Sequence, residues 1–474
     1  MKLLPHPLYL AGEFCKTSLS TQIKNPYSGK PVAETFLGTW KEVNISVQKA
    51  LEVRKALQET PSYKKSGILH QIASEIEKNR QHLAGIITSE CAKPLKLSLA
   101  EVDRAVFTFQ TAAEEAKRLP KEYIDLDWMP AGENKEGLVK YFPLGIIAGF
   151  TPFNFPLNLV AHKVAPAIAA GCPIIIKPSP KTPLSALELA KIIDKTPLSI
   201  GAFSVIPLRN EDAHLFTDDD RIQMLSFTGS PSVGWMLKEK AGKKKVVLEL
   251  GGNAGVIVSD DCDLNLAVKK CVGGGFSYSG QTCIHTQRIY VHKNIFSNFT
   301  GMFLKGVKNL KAGDPTDPAT DISVMIDEPA ARRTETWVKE AVKAGAKILC
   351  GGKRKGNFFE PTVLTNTDNA MNVCSEEVFA PVVVLEPYDT FEKAVAMVND
   401  SEFGLQAGVF TDNQKRINHA FSNLDVGGVI INNVPNFRMD HMPYGGIKNS
   451  GLGREGVKYA IVEMMEPRLL VMDK

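Results

Sequence analysis

No CxxC pair occurs in the chain, and its eight cysteines (Cys15, Cys91, Cys172, Cys262, Cys271, Cys283, Cys350 and Cys374) follow no regular spacing. Zinc and disulfide scaffolds are thereby disfavoured, and a reducing cytoplasm is the expected setting. Charge of one sign is also scarce, at a formal net of +4 over 474 residues. The densest basic run, Lys243-Lys244-Lys245, reads as a solvated turn before an apolar strand, so no nucleic-acid footprint is expected. Long hydrophobic runs are missing too. The longest that matters, 164–176, is broken by Pro166, Gly171 and Pro173 and is too short for a bilayer, so it reads as the end of a buried helix followed by a buried strand. The first seven residues, with Pro5 and Pro7, lack the apolar core of a secretory signal. Internal repeats and low-complexity tracts are absent as well.

What is there is ample core material. The chain is 44% hydrophobic and too long for one compact core, which predicts two or three lobes. Residues 43–119, rich in Ala, Glu, Lys, Leu and Gln at helical spacing, predict a helical layer. From 144 onward short apolar runs alternate with amphipathic stretches. Strands are expected at 144–150, 173–177, 203–206, 222–227 and 246–250, with helices between them. A second alternation follows, with a strand at 255–259, a helix at 264–279 and a strand at 287–292. Such alternation implies parallel βαβ units, so the fold class is α/β with two doubly wound α/β lobes. Two segments stand outside it, a hairpin at 122–142 and the stretch 459–473, which ends in the apolar run Arg468-Leu-Leu-Val-Met472. Edge-strand chemistry alone leaves open a hairpin that closes its own domain.

Three short segments carry the chemistry: Pro152-Phe153-Asn154-Phe155-Pro156, Glu249-Leu250-Gly251-Gly252 and Gly280-Gln281-Thr282-Cys283. A thiol, a carboxylate and an amide, each in a glycine- or proline-bounded turn, are the parts of a covalent aldehyde oxidation. The thiol attacks a carbonyl, the amide and a backbone N–H meet the oxyanion, and the carboxylate activates the water that releases an acyl group. Asn154 reads equally well as the cap of a helix starting at Pro156, and a carboxylate buried beside glycines is costly unless employed. The turn Phe227-Thr228-Gly229-Ser230, followed by Gly234, opens a helix after a strand, so its N–H groups can approach a pyrophosphate. It is not a GxGxxG fingerprint, and plain turn chemistry explains it as well.

In order and spacing these segments resemble the aldehyde dehydrogenase superfamily, from about residue 8 to the C-terminus. The resemblance nears the branch of lactaldehyde, phosphonoacetaldehyde and non-phosphorylating glyceraldehyde-3-phosphate dehydrogenases. It implies a dinucleotide-binding domain at 1–120 and 143–252, a catalytic domain at 253–445, and a small β oligomerisation flap from 121–142 and 459–474 that adds strands to a neighbouring subunit in a homodimer or homotetramer. It implies Cys283 as nucleophile, Asn154 in the oxyanion site and Glu249 as the base that hydrolyses the thioester to a free acid.

The resemblance further places Lys177 and Ser179 at the adenosine ribose, Glu377 at the nicotinamide ribose and Phe379 near the ring. Thr151, Pro152, Leu250 and Gly251 complete the cofactor cleft. Members that hold both ribose hydroxyls of NAD carry a Glu three residues after the lysine. Here Pro180 stands there, Ser179 and Lys181 are placed to take a 2′-phosphate, and the cofactor is NAD or NADP. Phe153 replaces a tryptophan found in many members and points to small aldehydes. Arg104 and Arg438 sit where such members hold an anionic tail, although each alone reads as structural, so the expected substrate is a small aldehyde with an anionic or hydroxylated tail. His162 and His285 lie near the motifs and read first as core histidines. The alternatives are a coenzyme-A-acylating or general short-chain aldehyde dehydrogenase, or a member without activity. Glu249 and Cys283 speak against the acylating and inactive readings.

Overall fold

The structure is a computed structural model that describes residues 4–473, so the assignments of residues 1–3 to a lobe and of Lys474 to the flap lie outside it. Four helices, Trp40–Glu59, Ser62–Lys78, Arg80–Cys91 and Leu95–Glu115, form the expected helical layer. The first starts at a capping box in which Thr39 accepts from the chain ahead of it and Glu42 reaches back to the Thr39 N–H.

The first sheet has eight strands in the order Gly451–Leu452, Lys245–Glu249, Ile222–Thr228, Ile146–Phe150, Ile174–Lys177, Phe203–Val205, Leu8–Leu10, Glu13–Cys15. Its five middle strands run parallel, and antiparallel strands close both edges. These five are the strands the sequence alternation predicts, within two residues at each end. Sequence order reverses at Ile146–Phe150, whose neighbours are Ile222–Thr228 on one side and Ile174–Lys177 on the other, so a crevice opens at the carboxyl ends there. Helix Asn158–Ala170 is buried along its whole length, since it lies between this sheet and the helical layer. That explains why its sequence is apolar all round rather than striped.

A second sheet of seven strands has the order Lys347–Cys350, Thr362–Thr365, Val382–Tyr388, Arg288–His292, Gly255–Val258, Gln406–Phe410, Gly428–Ile431, parallel except at the first edge. The helix expected at 264–279 ends at Phe276. Tyr278 and Ser279 then take left-handed backbone angles (φ 49° and 54°), a turn that helical periodicity cannot reveal.

A third, three-stranded sheet joins Lys121–Asp125, Lys135–Pro143 and Met465–Asp473, the last two antiparallel over nine residue pairs. Within the stretch 459–473 only Met465–Asp473 is strand. The preceding helix Val457–Glu463 buries Val457 and Ile461 in the core of the first lobe.

One buried ion pair ties these layers together. Lys93 donates a short hydrogen bond to Glu101, and both side chains are essentially inaccessible. The other Glu101 oxygen accepts from the Leu157 and Asn158 N–H groups at 2.9 and 3.1 Å and so caps the buried helix, while the Lys93 ammonium lies 3.8 Å from the Phe155 ring centroid. Removing one partner of such a pair leaves an uncompensated charge, so Glu101→Gln should destabilise the protein by about 3–5 kcal/mol. Asp103→Ala, which breaks the exposed pair with Arg80, should cost no more than about 1 kcal/mol. Urea and thermal unfolding of both variants check this, and equally small losses would show that the buried pair contributes nothing special.

Candidate active site

A cleft of about 1060 Å³ opens at the carboxyl ends of the first sheet and reaches the second lobe. Thr151 and Pro152 follow one strand, Lys177 ends the next, Phe227 and Thr228 end a third and Glu249 ends a fourth. All six line the cleft together with Cys283, Asn154, Glu377 and Phe379.

Cys283 sits in a loop that the backbone forces close to its surroundings. Tyr278, Ser279 and Gly280 are left-handed in succession, and a Cβ at Gly280 would lie 2.1 Å from the Ala380 carbonyl oxygen. Gln281 anchors the loop, its Oε1 accepting from the Ile326 N–H at 2.8 Å. Gly252 has no side chain for a related reason, as a Cβ there would come within 2.9 Å of the Cys283 carbonyl oxygen. Burial pushes the Cys283 thiol up to about 11, while Tyr444 and Arg438 pull it down and Glu377 and Glu249 push it further up.

Neither carboxylate oxygen of Glu249 has a hydrogen-bond partner, although the residue is 3% exposed. Burial raises its pKa well above the ordinary carboxylate range and Glu455 adds to this, against Arg438, Lys163 and Arg454. A carboxyl so strongly perturbed inside a cleft marks a candidate functional group. Asn154 donates one amide hydrogen to the Gln281 carbonyl at 3.0 Å and has a second to offer. It is not a helix cap: the helix begins at Asn158, and Glu101 takes that role.

The residues expected at a substrate tail are placed less simply. Arg104 and Arg438 both line the cleft, and each already holds a carboxylate. Arg104 binds Asp440 through Nε and Nη2 at 3.2 and 2.6 Å. Arg438 donates from Nη2 to Glu455 at 2.9 Å, lies 3.6 Å from the Tyr444 ring centroid, and leaves its buried Nε without a partner. His162 does not line the cleft. Its Nε2 bonds Asp440 at 2.7 Å and burial lowers its pKa, so it stands behind the site. His285 is also a core histidine, held at 2.8 Å by the Gly275 carbonyl, and burial lowers its pKa to about 4. Phe153 meets Phe379 edge to face at 5.8 Å.

Among the residues expected at a cofactor, Lys177 is buried with Asn210 Oδ1 at 3.2 Å, and burial lowers its pKa to about 8 against the pull of Asp212. Ser179 lines the cleft, whereas Lys181 is committed to a short ion pair with Asp327. Ser230 precedes helix Pro231–Lys240 without capping it through its side chain, so the first N–H groups have no side-chain cap. Gly229 lines the same turn, but Gly234 does not reach the cleft. A Cβ at Gly234 would meet Leu250 Cδ2 at 2.4 Å, so this glycine lets the helix pack down. Gly251 likewise makes room for Glu377, whose carboxylate accepts from the Gly252 N–H at 3.2 Å and is raised to about 8 by burial. Phe379 is left-handed (φ 49°), a strained placement that holds its ring over the cleft.

Sequence reasoning passed over Tyr444, Glu455, Lys163 and Asn210. For Tyr444 and Glu455 the one signal is the glycine-dense run 445–456, which starts beside Tyr444 and contains Arg454-Glu455, and Lys163 and Asn210 have none. Among the described residues no His, Cys, Asp or Glu cluster suits a metal ion, and no helix is long and apolar enough to cross a membrane.

Comparison with known proteins agrees with this geometry. The sequence model of the Aldehyde dehydrogenase family matches residues 15–470. The 3-sulfolactaldehyde dehydrogenase of Priestia aryabhattai is 41% identical, with 98% of each chain covered. Aldehyde dehydrogenase 21 of Physcomitrella patens, solved in complex with the reaction product succinate, is 43% identical with a TM-score of 0.98, covering 100% of this chain and 99% of that one. Glyceraldehyde-3-phosphate dehydrogenase GapN of Methanocaldococcus jannaschii, complexed with NADP, is 37% identical with a TM-score of 0.91, covering 96% and 99%.

The electrostatics of the cleft give a signed expectation. Glu455 raises the Glu249 pKa, and the nearby cations Arg438 and Lys163 lower it. Glu455→Gln removes the negative charge and leaves the cations, so the Glu249 titration should move down toward the ordinary carboxylate range. Infrared titration of the carboxyl band, with Glu249→Gln as the blank, reads this directly. A midpoint that stays or rises would overturn the electrostatic account.

Proposed function

Because the chain belongs to the aldehyde dehydrogenase family, we propose that it oxidises a small aldehyde with an anionic tail to the free carboxylic acid, with NAD or NADP as coenzyme. The observation that carries the proposal is the set of buried, unpartnered polar atoms around Cys283. Asn154 Oδ1, both Glu249 oxygens, Thr282 Oγ1 and Arg438 Nε all lack partners, and buried polar groups persist unpaired where a ligand or water completes them.

The Cys283 thiolate attacks the aldehyde carbon, and the oxyanion meets the free Asn154 amide hydrogen and the Cys283 backbone N–H. The coenzyme supplies the hydride acceptor. Its ribose hydroxyls suit the Lys177 ammonium and the Glu377 carboxylate, and its pyrophosphate suits the open N-terminus of helix Pro231–Lys240. Glu249 then takes a proton from the water that attacks the Cys283 thioester, which releases the acid and restores the thiol. With Pro180 where a ribose-binding carboxylate would stand, nothing at that position repels a 2′-phosphate, and Ser179 is the residue left to meet it.

The tail assignment draws on the relatives. Sulfolactaldehyde, succinate and glyceraldehyde 3-phosphate each bear a negative group away from the carbonyl carbon. In this chain Arg438 Nε and the part of Arg104 outside its pair with Asp440 offer donors at the cleft, with Lys269 and Lys270 also on its lining. The eight unpaired cysteines suit a reducing cytoplasm. Leu469, Leu470, Val471 and Met472 lie exposed on the edge strand Met465–Asp473, which suits pairing with a second copy in a homodimer or homotetramer.

Two measurements test the proposal. Glu249→Gln should keep a pre-steady-state burst of reduced coenzyme while steady turnover falls, because acylation needs the thiol and hydrolysis needs the base. Loss of burst and turnover together would assign Glu249 an earlier step. Arg104→Ala should lower kcat/KM about ten- to a hundred-fold for an aldehyde carrying a phosphonate, sulfonate or carboxylate, the equivalent of about 1.5–3 kcal/mol for one charged hydrogen bond. A neutral aldehyde of equal length should barely respond, and equal losses on both would leave Arg104 a purely structural partner of Asp440.

A further inference from the structure

Tyr444 stands where no tail, coenzyme or general base is assigned, yet its hydroxyl oxygen lies 3.1 Å from Cys283 Sγ. The residue is 3% exposed and packs with Ile284 and Leu405 against the nucleophile loop. Its backbone is pinned from both directions, as Tyr444 N–H donates to the Glu455 carbonyl at 3.0 Å and Glu455 N–H donates back at 2.6 Å. The Arg438 guanidinium covers its ring at 3.6 Å and is itself fixed to the Glu455 carboxylate. Backbone and ring are thus held on both sides, with the hydroxyl against the sulfur.

We propose that Tyr444 is a further catalytic residue, whose hydroxyl donates a hydrogen bond to the Cys283 thiolate and thereby stabilises and aims the nucleophile. The proposal rests on Cys283 being the reactive thiol. An ordinary thiol loses its proton before an ordinary phenol, so once the sulfur is ionised the phenol is the only one of the two with a proton to give. The surroundings keep that order. Burial, then Cys283 and Glu249, raise the Tyr444 hydroxyl well above its usual range against the pull of Arg438. A cation over the face of the ring also withdraws electron density from the phenol and makes it a better donor. The other charged groups facing the sulfur are Arg438, Glu377 and Glu249, with Lys163 and Glu455 behind them. Of these only Arg438 and Lys163 are cations, and neither hydrogen-bonds the sulfur. The tyrosine hydroxyl is thus the direct donor that offsets the loss of water around a buried thiolate.

The test reads the thiol itself, without substrate or coenzyme. The rate of iodoacetamide alkylation at Cys283, followed by mass spectrometry of its peptide as a function of pH, gives the midpoint of thiol ionisation. Tyr444→Phe removes a single oxygen and should raise that midpoint by about one unit or more, with about tenfold less thiolate at a given pH below it. Fluorotyrosine at position 444, a stronger donor of nearly the same shape, should lower it. The acid limb of kcat/KM should follow the alkylation midpoint in both variants. An unchanged midpoint in Tyr444→Phe, or a fluorotyrosine shift in the same direction as the phenylalanine shift, overturns the proposal. Full turnover in Cys283→Ala would instead overturn the choice of nucleophile, a separate failure that the alkylation midpoints do not share.

Discussion

The site depends on a pair of buried carboxylates, Asp440 and Glu455, and on the cations drawn around them. Asp440 accepts from Arg104, His162 and Asn158, and Glu455 accepts from Arg438 and Lys163. Burial alone would push both acids toward their neutral forms, but the hydrogen bonds and charges around them outweigh it and hold both well below the usual carboxylate range. Arg104 comes from the helical layer and Asn158, His162 and Lys163 from the buried helix, whereas Arg438 and the two acids come from the chain that follows the last strand of the second sheet. The ion lattice thus folds that segment back onto the first lobe. It carries Tyr444 onto Cys283 on the way, and it also lets Gly451–Leu452 close the edge of the first sheet beside Glu249.

Around this lattice the backbone makes room by omission. Gly252 lets the Cys283 carbonyl approach, Gly251 lets the Glu377 carboxylate lie across it, and Gly280 turns beneath the Ala380 carbonyl. Each is a place where a methyl group would collide with a functional atom or its immediate support. At Gly252 and Gly280 the tight contact is with a main-chain carbonyl, which relaxes less than a side chain does.

Much of this was legible in the sequence, for a physical reason. The strands are buried on both faces and read as apolar runs, so their ends could be placed, and the residues just beyond them, Thr151, Lys177, Thr228 and Glu249, fell on one edge of one sheet. What could not be read was which charge meets which. Arg104 and its partner Asp440 are 336 positions apart, and Arg438 and Glu455 are 17 apart on a segment without helical or strand periodicity. Each arginine alone read as structural and only the pair suggested a hold on an anionic tail, and the fold shows which carboxylate each one holds. Asn154 looked like a helix cap because Pro156 follows it. The acceptor that does the capping, Glu101, belongs to another helix. The early end of the helix at Phe276 was hidden for a similar reason, since Tyr278 and Ser279 carry no local mark of left-handed backbone.

The same lattice explains why thiol and base can rest side by side. A thiolate at Cys283 and a carboxylate at Glu249 would be two like charges in a poorly solvated pocket, and Glu249 pushes the Cys283 thiol up. Burial pushes both groups toward their neutral forms. Arg438 is the group whose charge favours ionisation of both, and it is already bound to Glu455, so its field is fixed in place before any substrate arrives. In the proposed reaction, attack by the thiolate moves negative charge from sulfur to the carbonyl oxygen, toward the Asn154 amide, and hydride departure then removes it from the oxygen. On that proposal, once the thioester has formed the sulfur no longer competes with Glu249 for the field of Arg438, and ionisation of Glu249 becomes easier at the stage when water must be activated. The order of the two half-reactions is therefore favoured by electrostatics that a single shared cation provides.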